Sequence, residues 1–577
     1  MTAKEYFTNN DLVIKKQYDA LKDFFYNGED ATSVAKKYNY KLSTFYSLSR
    51  DFKKHIKSGA ENDFFFQIKK AGRKHIKNET LDGIIIKLRK KNFSTKEILT
   101  ILHSKSYEVS YTYVYTLLKK EGFAKLPRRS SDVKKELPKI EAPKSKKIEL
   151  KTETFNSDNV GLLSFLVLLK RYKISDVIEK SLFPETKTIN RLSSILSFVA
   201  LKLSNVRRYS VDDIWCMDRG SGLFAGLNVL PKTAWFSSYS HRVTKEMNLS
   251  FLKSLHQIWL DNNLLSDTIN LDFTTIPYWG DDQHLENNWS GKRNKALASM
   301  LAVLCQDPDS GIIDYGDADI RHENQSKTVL EFLDFYSVDQ NINNKLKYLV
   351  FDSKFTTYEN LSKLNKREIK FLTIRMRGKN IVDKINNKDK SEWKKIRVEC
   401  ADVKKRNITV LDETVKLSKY EGDIRQIAIK GHGKIKPALI ITNDFDLSLE
   451  MIVRKYAKRW IVEKVISEQI EFFHLNRVSS SMVIKVDFDL TMTILAHNMY
   501  RLIAKEFERY ANLTSVKIHE KFINNSGTVK IQDNQIVISL NKKRDLPLLL
   551  ETMKKFENIK IDWLGNKKII FEGSSTT

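Results

Sequence analysis

Residues 268–273 read Thr268-Ile-Asn-Leu-Asp-Phe273, and a second apolar run, Tyr348-Leu-Val-Phe351, is followed at once by Asp352. Both runs are short and rich in branched and aromatic side chains, which suits buried strands better than helices. The same texture recurs at Ala298 to Cys305, Phe371 to Ile374 and Ala438 to Ile441, with helical patterns between them at Lys327 to Tyr336, Tyr358 to Leu364 and Leu447 to Phe473. Early strands followed by strand–helix alternation predict a mixed α/β core over residues 266–375 and 438–510. Within it, residues 376–437 carry alternating segments (Lys395-Ile-Arg-Val-Glu399, Asn407-Ile-Thr-Val-Leu411, Gln426-Ile-Ala-Ile429) that read as a β-rich insertion.

Outward from this core, residues 153–265 return to amphipathic helical pattern, as in Leu162 to Leu169 and Leu192 to Leu203, and read as a helical region preceding it. Residues 511–577 form a short α/β tail with the strand-like Gln535-Ile-Val-Ile-Ser-Leu540 and no assigned role. Residues 127–152 are a basic linker rich in Lys, Pro and Ser, in which Arg128 and Arg129 are candidates for phosphate contact. Residues 1–60 and 75–126 read as tandem helix-turn-helix units. In the first, apolar or aromatic residues at 31, 34, 35 and 38 precede a break at Asn39 to Lys41, and Ser43 and Thr44 are the N-cap candidates of the next helix. In the second, Leu81 to Lys90 is helical, Ser94-Thr-Lys-Glu97 is a capping box, and Ser110 to Lys120 forms the third helix. Such units lay their last helix in a DNA major groove, which nominates Ser43, Thr44, Tyr46, Arg50, Ser110, Tyr111 and Tyr113 as DNA contacts.

Composition agrees with that partner. Among 577 residues, 99 Lys and Arg stand against 71 Asp and Glu, a formal charge of +28 that draws the chain toward polyanions. With 41% hydrophobic and 29% charged residues the profile is globular, and the length implies several domains. Cys216, Cys305 and Cys400 stand far apart, which argues against a zinc ribbon or a disulfide framework and fits a reducing compartment. The opening residues MTAKEYFTNNDLVIKK lack the apolar core of a secretory signal. The apolar run from Val160 to Leu169 is half of the ~20 residues a bilayer span requires, so no membrane partner is expected.

Asp272 and Asp352 sit where a carboxylate is costly to bury unless paired, protonated or bound to metal, and Glu463 lies on the helix containing Tyr456-Ala-Lys-Arg-Trp-Ile-Val-Glu463. Each has an ordinary alternative: a strand-end Asp is often a turn former, and Glu463 lies four residues from Arg459 on one helical face. Together, two strand-borne Asp and a helical Glu supply the oxygen ligands that hard Mg²⁺ requires for phosphodiester chemistry. Asp281 and Asp282 are neighbouring alternatives to Asp272, and Asp319-Ile-Arg-His322-Glu323 offers further acids and a His.

The spacing Tyr456-x2-Arg459-x3-Glu463 resembles the Y-x2-R-x3-E signature of DDE transposases of the bacterial insertion-sequence four superfamily. The resemblance spans residues 200–505, including Gly226-Leu-Asn-Val-Leu-Pro231 and Asp272-Phe-Thr-Thr. It implies a ribonuclease-H-like catalytic core, often with a β-rich insertion between the second Asp and the Glu, for which the gap from Asp352 to Glu463 leaves room. It implies Asp272, Asp352 and Glu463 as catalytic metal ligands for two Mg²⁺ per site, with Mn²⁺ as a substitute. It implies Arg459 and Tyr456 as contacts to the cleaved strand and Trp393 as a stabiliser of a flipped base. The partners implied are double-stranded DNA (element ends and target) and further copies of the chain, in a homodimer or larger synaptic complex in a prokaryotic, nucleoid-associated cytoplasm. One departure is plain: Ile470 stands where the signature commonly has Lys or Arg, leaving His474, Arg477 or Lys485 to supply that charge. Two other functions share these features, a non-catalytic regulator derived from a transposase and a metal-dependent nuclease without strand transfer. Retention of all three acids argues against the regulator.

Overall fold

The computed structural model describes residues 13–59, 64–66, 79–90, 93–104, 107, 109–123, 144–207, 213–278, 285–290, 294–337, 346–399, 405–430, 437–475 and 483–574. The chain divides into two compact units, residues 1–139 and 140–577.

The first unit is helical. Helices α1 (Val13–Phe25), α2 (Ala31–Lys37) and α3 (Leu42–Lys57) close around Ala20, Ala31, Val34, Ala35 and Phe45. Asp30 caps α2 by accepting from the Thr32 and Ser33 amides. Ser43 and Thr44 do not cap α3. Asn39 takes a left-handed turn (φ 50°), Lys41 stands at the N-cap, and both hydroxyl residues fall inside the first turn, exposed. Helices α4 (Glu79–Lys90), α5 (Thr95–Ser104) and α6 (Tyr111–Lys120) enclose a second core of Leu81, Ile85, Ile98, Leu102, Val114, Leu117 and Leu118. The capping box at α5 is reciprocal: the Ser94 amide donates to Glu97 at 2.6 Å, and the Glu97 amide donates to the Ser94 hydroxyl at 3.3 Å.

In the second unit, the described residues form a ten-stranded sheet. Its first half comprises β2 (Thr268–Pro277), β3 (Asn287–Ser290), β4 (Lys295–Gln306), β5 (Ile313–Ile320), β6 (Tyr348–Val350) and β7 (Lys370–Ile374). Strand β4 lies between β2 and β5, antiparallel to both, while β2, β6 and β7 run parallel. Strands β8 (Lys394–Glu399), β9 (Lys405–Val415), β10 (Ile424–Lys430) and β11 (Ala438–Thr442) then extend the same sheet in the order β7-β11-β10-β9-β8, all antiparallel. The segment read as a β-rich insertion thus carries three strands, β8, β9 and β10, and they continue the core sheet. The strand at 438–442, read as a return to the core, is the hairpin partner of β10. Backbone pairing explains this, since β7 would otherwise present an open edge.

The region expected to be helical opens with a strand, β1 (Glu153–Ser157), antiparallel to β12 (Gly527–Ile531) of the tail. With β13 (Gln535–Leu540), β14 (Lys560–Ile561) and β15 (Lys567–Gly573) they make a second, five-stranded sheet. Close packing here depends on Gly161, where a Cβ would meet the Ile523 carbonyl oxygen at 2.0 Å. Helices α7 (Phe165–Arg171), α8 (Ile174–Lys180), α9 (Arg191–Leu203) and α10 (Lys245–Asp261) precede β2. They share one apolar core with the strands and with a long helix at Val483–Glu506. Lys202 of α9 is buried there, its ammonium donating to Asp489 and to the Phe473 carbonyl, each at 2.8 Å.

Removing one partner of such a pair leaves a buried charge unmatched, at a cost of about 3–5 kcal/mol, whereas apolar replacement of both is close to neutral. Lys202→Met is therefore expected to lower the denaturation midpoint of residues 140–577 sharply, and Lys202→Met with Asp489→Leu to recover most of the loss. Calorimetry of the three proteins checks this.

Candidate active site

The parallel register of β2 and β6 sets Asn270 beside Val350. Asp272 follows Asn270 by two residues and Asp352 follows Val350 by two, so the two-residue pleat places both acids at one level on one face of strands ~4.8 Å apart. Asp352 caps a short helical turn, Ser353–Phe355, by accepting from the Ser353 amide at 2.7 Å, so its turn-forming role is present beside any other. The rings of Phe273 and Phe355, each close behind one Asp, stack at 3.7 Å and 3° and tie the two segments together.

Helices α11 (Leu449–Lys458) and α12 (Trp460–Glu471) run along this face. Lys455 donates to the Thr268 hydroxyl at 2.7 Å, Asn270 donates to the Lys458 carbonyl at 3.1 Å, and Arg459 donates to Asp272 at 2.7 Å. Lys455 and Arg459, four residues apart, meet Thr268 and Asp272 of β2, and Glu463, four residues further on, meets Arg459. The helix expected in one piece from 447 to 473 is divided at Arg459. The Arg459 amide bonds to Tyr456 and the Val462 amide bonds to Arg459, each across three residues rather than four.

Arg459 is the centre of the arrangement. Its second terminal nitrogen donates to Glu463 at 3.1 Å, so one guanidinium, 7% exposed, joins two of the three acids. Its third nitrogen, Nε, is buried without a hydrogen-bond partner among the described residues, as is the Asn270 side-chain oxygen. Burial pushes the Asp272 carboxyl up to about 6, and the negative charges of Glu463 and Asp352 add to the rise against the opposing pull of Arg459. For Arg459, burial works against the charge, but Tyr456 and the three acids together raise its pKa further.

These observations bear on whether a metal suits the site. The donors are carboxylate oxygens, the set hard divalent cations take, and a guanidinium already occupies the position of a cation between Asp272 and Glu463. Three acids against one arginine leave negative charge to spare. The residues fit such an ion in kind, yet they are gathered around Arg459. Among the described residues, no group of three or more His, Cys, Asp or Glu is drawn together closely enough to hold a metal ion.

The remaining sequence candidates scatter. Tyr456 is half-buried with the Arg459 guanidinium 5.6 Å from its ring centre. Trp393 is not near this cluster's contacts: it packs with Ile381, Ile385, Leu411, Ala428 and Leu439, and the Lys430 ammonium lies 4.9 Å from its ring centre. Lys485 is half-buried in the first turn of α13 (Val483–Glu506), and His474 meets the Asn205 carbonyl at 3.1 Å. His322 meets Asn288 at 2.8 Å and so belongs to the β3 turn. In the N-terminal unit Ser43, Thr44, Tyr46, Arg50, Ser110 and Tyr111 are exposed, Ser110 also capping α6, while the Tyr113 hydroxyl is held by Asp82. Arg128, Arg129, Arg477, Asp281, Asp282 and Cys400 lie outside the described residues. Missed by sequence reasoning were Asn270, Lys455 and the Phe273–Phe355 stack. The shared parity of 268, 270 and 272, and the spacing of 455 from 459, were the available signals.

Residues 265–499, which contain all three acids, match the family described as the transposase DDE domain. That match supports a DDE transposase. Among solved structures, one described as a cryo-EM structure of a piggyBac transposase synaptic complex with hairpin DNA is similar with a TM-score of 0.35 and 11% identity, over 69% of this chain and 80% of that one. A likeness that distant carries no weight for fold or function. No curated protein matches. Among the described residues, no helix is long and apolar enough to cross a membrane.

Asp272 also sets a pH dependence. An acid raised from its ordinary 3.8 to about 6 is protonated in the fold while ionised in the unfolded chain, so stability is lost as pH rises from about 4 to about 6 and stays lost above. Asp272→Asn, which cannot titrate, is expected to flatten this decline, so that its stability changes less between pH 4 and pH 8 than that of the wild type. Melting curves of both proteins across that range test the sign.

Proposed function

We propose that the chain is a DNA transposase of the DDE type, which binds the terminal inverted repeats of a mobile element and cuts and rejoins its ends. The observation that carries this reading is that Asp272 and Asp352 each follow by two residues the paired Asn270 and Val350 of two parallel strands, with Glu463 joined to Asp272 through Arg459. The mixed sheet around them supports the ribonuclease-H-like core, and the family match over residues 265–499 supports the class.

The roles follow from position. In this reading Asp272, held on a central strand, Asp352, fixed by the Ser353 amide and the Phe273–Phe355 stack, and Glu463, on α12, supply the carboxylates. Two Mg²⁺ ions bound by these acids, with Mn²⁺ as a substitute, would supply activation of the attacking oxygen and stabilisation of the leaving one during in-line displacement. In this reading Arg459 and Tyr456 contact the phosphate and sugar of the cut strand. Arg454, Lys455 and Lys458 line a cleft with Thr268 and Asp309 beside β2, which offers a path for the duplex backbone.

Recognition of the ends is assigned to the N-terminal helices. Exposed Ser43, Thr44, Tyr46 and Arg50 lie on α3, and Tyr111 and Tyr115 stack at 6.3 Å on the open face of α6. In this reading they are the recognition surfaces of two helix-turn-helix units. Arg128, Arg129, Arg477 and Lys485 add basic contacts in this reading. Bringing two ends together requires a dimer or larger assembly. The formal charge of +28 favours strong, salt-sensitive association with DNA.

Two measurements test the proposal. Cleavage of DNA carrying the element's ends is expected to require Mg²⁺ or Mn²⁺ and to fall by more than ~100-fold in Glu463→Gln and Asp352→Asn; equal activity in the variants would sink the assigned site. Arg50→Ala is expected to weaken end binding and to lower the slope of log affinity against log salt by about 1, whereas an unchanged slope would remove Arg50 from the interface.

A further inference from the structure

We propose that Arg459 is the resident cation of the carboxylate cluster and must leave it before the acids accept divalent ions, so that a phosphate of bound DNA opens the metal site by drawing the guanidinium away. This rests on the reading of Asp272, Asp352 and Glu463 as metal ligands. It adds an order of events: DNA first, metal second.

One terminal nitrogen of Arg459 is committed to Asp272 at 2.7 Å and the other to Glu463 at 3.1 Å. A divalent ion taking the same oxygens would lie within a few ångströms of a buried positive charge, which repels it. Ion and guanidinium therefore compete for one place. The guanidinium is also incompletely satisfied there, since Nε is buried with no acceptor among the described residues. A phosphate offers two oxygens in the fork geometry a guanidinium prefers, and so can outcompete a pair of single contacts to different acids.

The backbone suits such a movement. Arg459 stands at the junction of α11 and α12, and turning its side chain about its own χ bonds requires no change in either helix. The Tyr456 ring, 5.6 Å from the guanidinium carbon, gives the cation a second surface to rest on once the carboxylates are released. Charge also balances in the exchange. The arginine passes from carboxylates to phosphate, and the freed carboxylates pass from arginine to metal. A purely structural ion pair makes the opposite forecast, because removing Arg459 would then disorder Asp272 and Glu463 and weaken any ion they hold.

The test is Mn²⁺ binding to the full-length protein by calorimetry, with and without a short duplex of arbitrary sequence whose own Mn²⁺ uptake is subtracted. Without DNA, Arg459→Gln is expected to bind Mn²⁺ about tenfold more tightly than wild type. The duplex is expected to tighten binding by wild type and to leave Arg459→Gln unchanged. Equal or weaker binding by Arg459→Gln, or equal tightening of both proteins by DNA, overturns the proposal. Asp272→Asn separates the two claims. Binding that is lost in this variant but indifferent to Arg459 ends the gate alone; binding that persists in it, or is absent from every protein, ends the metal reading as well. Should Arg459→Gln unfold at the assay temperature, Arg459→Lys, too short to span both acids, is expected to fall between it and wild type, and weaker binding than wild type by that variant overturns the gate.

Discussion

A carboxylate taken out of water beside two others must be given a positive charge or a proton, and much of the second unit is arranged around how Asp272 meets that demand. Its strand lies between β4 and β6, and its side chain projects toward the helices on that face with 15% left exposed. Burial and the neighbouring acids push its pKa up to about 6, and Arg459 answers from the helix face laid along β2. The consequence reaches outward. Because Arg459 must face β2, Lys455 one turn earlier faces Thr268, and Glu463 one turn later is brought to the same cluster.

Holding α12 in that orientation is the work of groups far from the acids. Glu468, five residues beyond Glu463, meets the His497 ring at 3.3 Å and accepts from the Ser515 amide. On the same long helix as His497, Asp489 receives the buried Lys202, and Lys202 also bonds the Phe473 carbonyl just past the end of α12. The helical region, the tail and the acid-bearing helix are thus fastened to one another by buried polar contacts. These are costly to leave half made, so they specify one arrangement rather than merely adding stability.

How much of this could be read from the chain depended on whether the determining interaction was local. Asp352 at the end of a four-residue apolar run and Glu463 in a spaced Tyr-Arg-Glu motif were legible because strand ends and helical spacing are written in consecutive residues. The Ser94–Glu97 box was legible for the same reason. Ser43 and Thr44 were misplaced as caps because a left-handed Asn39 shortened the turn, a choice of backbone that the side chains nearby do not announce. The joining of β8–β11 to the main sheet, and of β1 to β12, rests on pairing between distant segments, which alternation alone cannot assign. The double engagement of Arg459 falls between these cases. Its link to Glu463 follows from spacing, but its link to Asp272 comes from a strand 187 residues away.

Asp272, on β2, and Asp352, just past the end of the parallel strand β6, stand or fall together as a divalent-cation site. The most direct measurement is anomalous scattering from Mn²⁺ in crystals of the protein bound to DNA. The expected result is an anomalous peak within coordination distance of a carboxylate oxygen from each of these two aspartates, with Arg459 turned toward phosphate. A well-ordered complex in which Mn²⁺ is bound elsewhere, and Asp272 still holds Arg459, would contradict it.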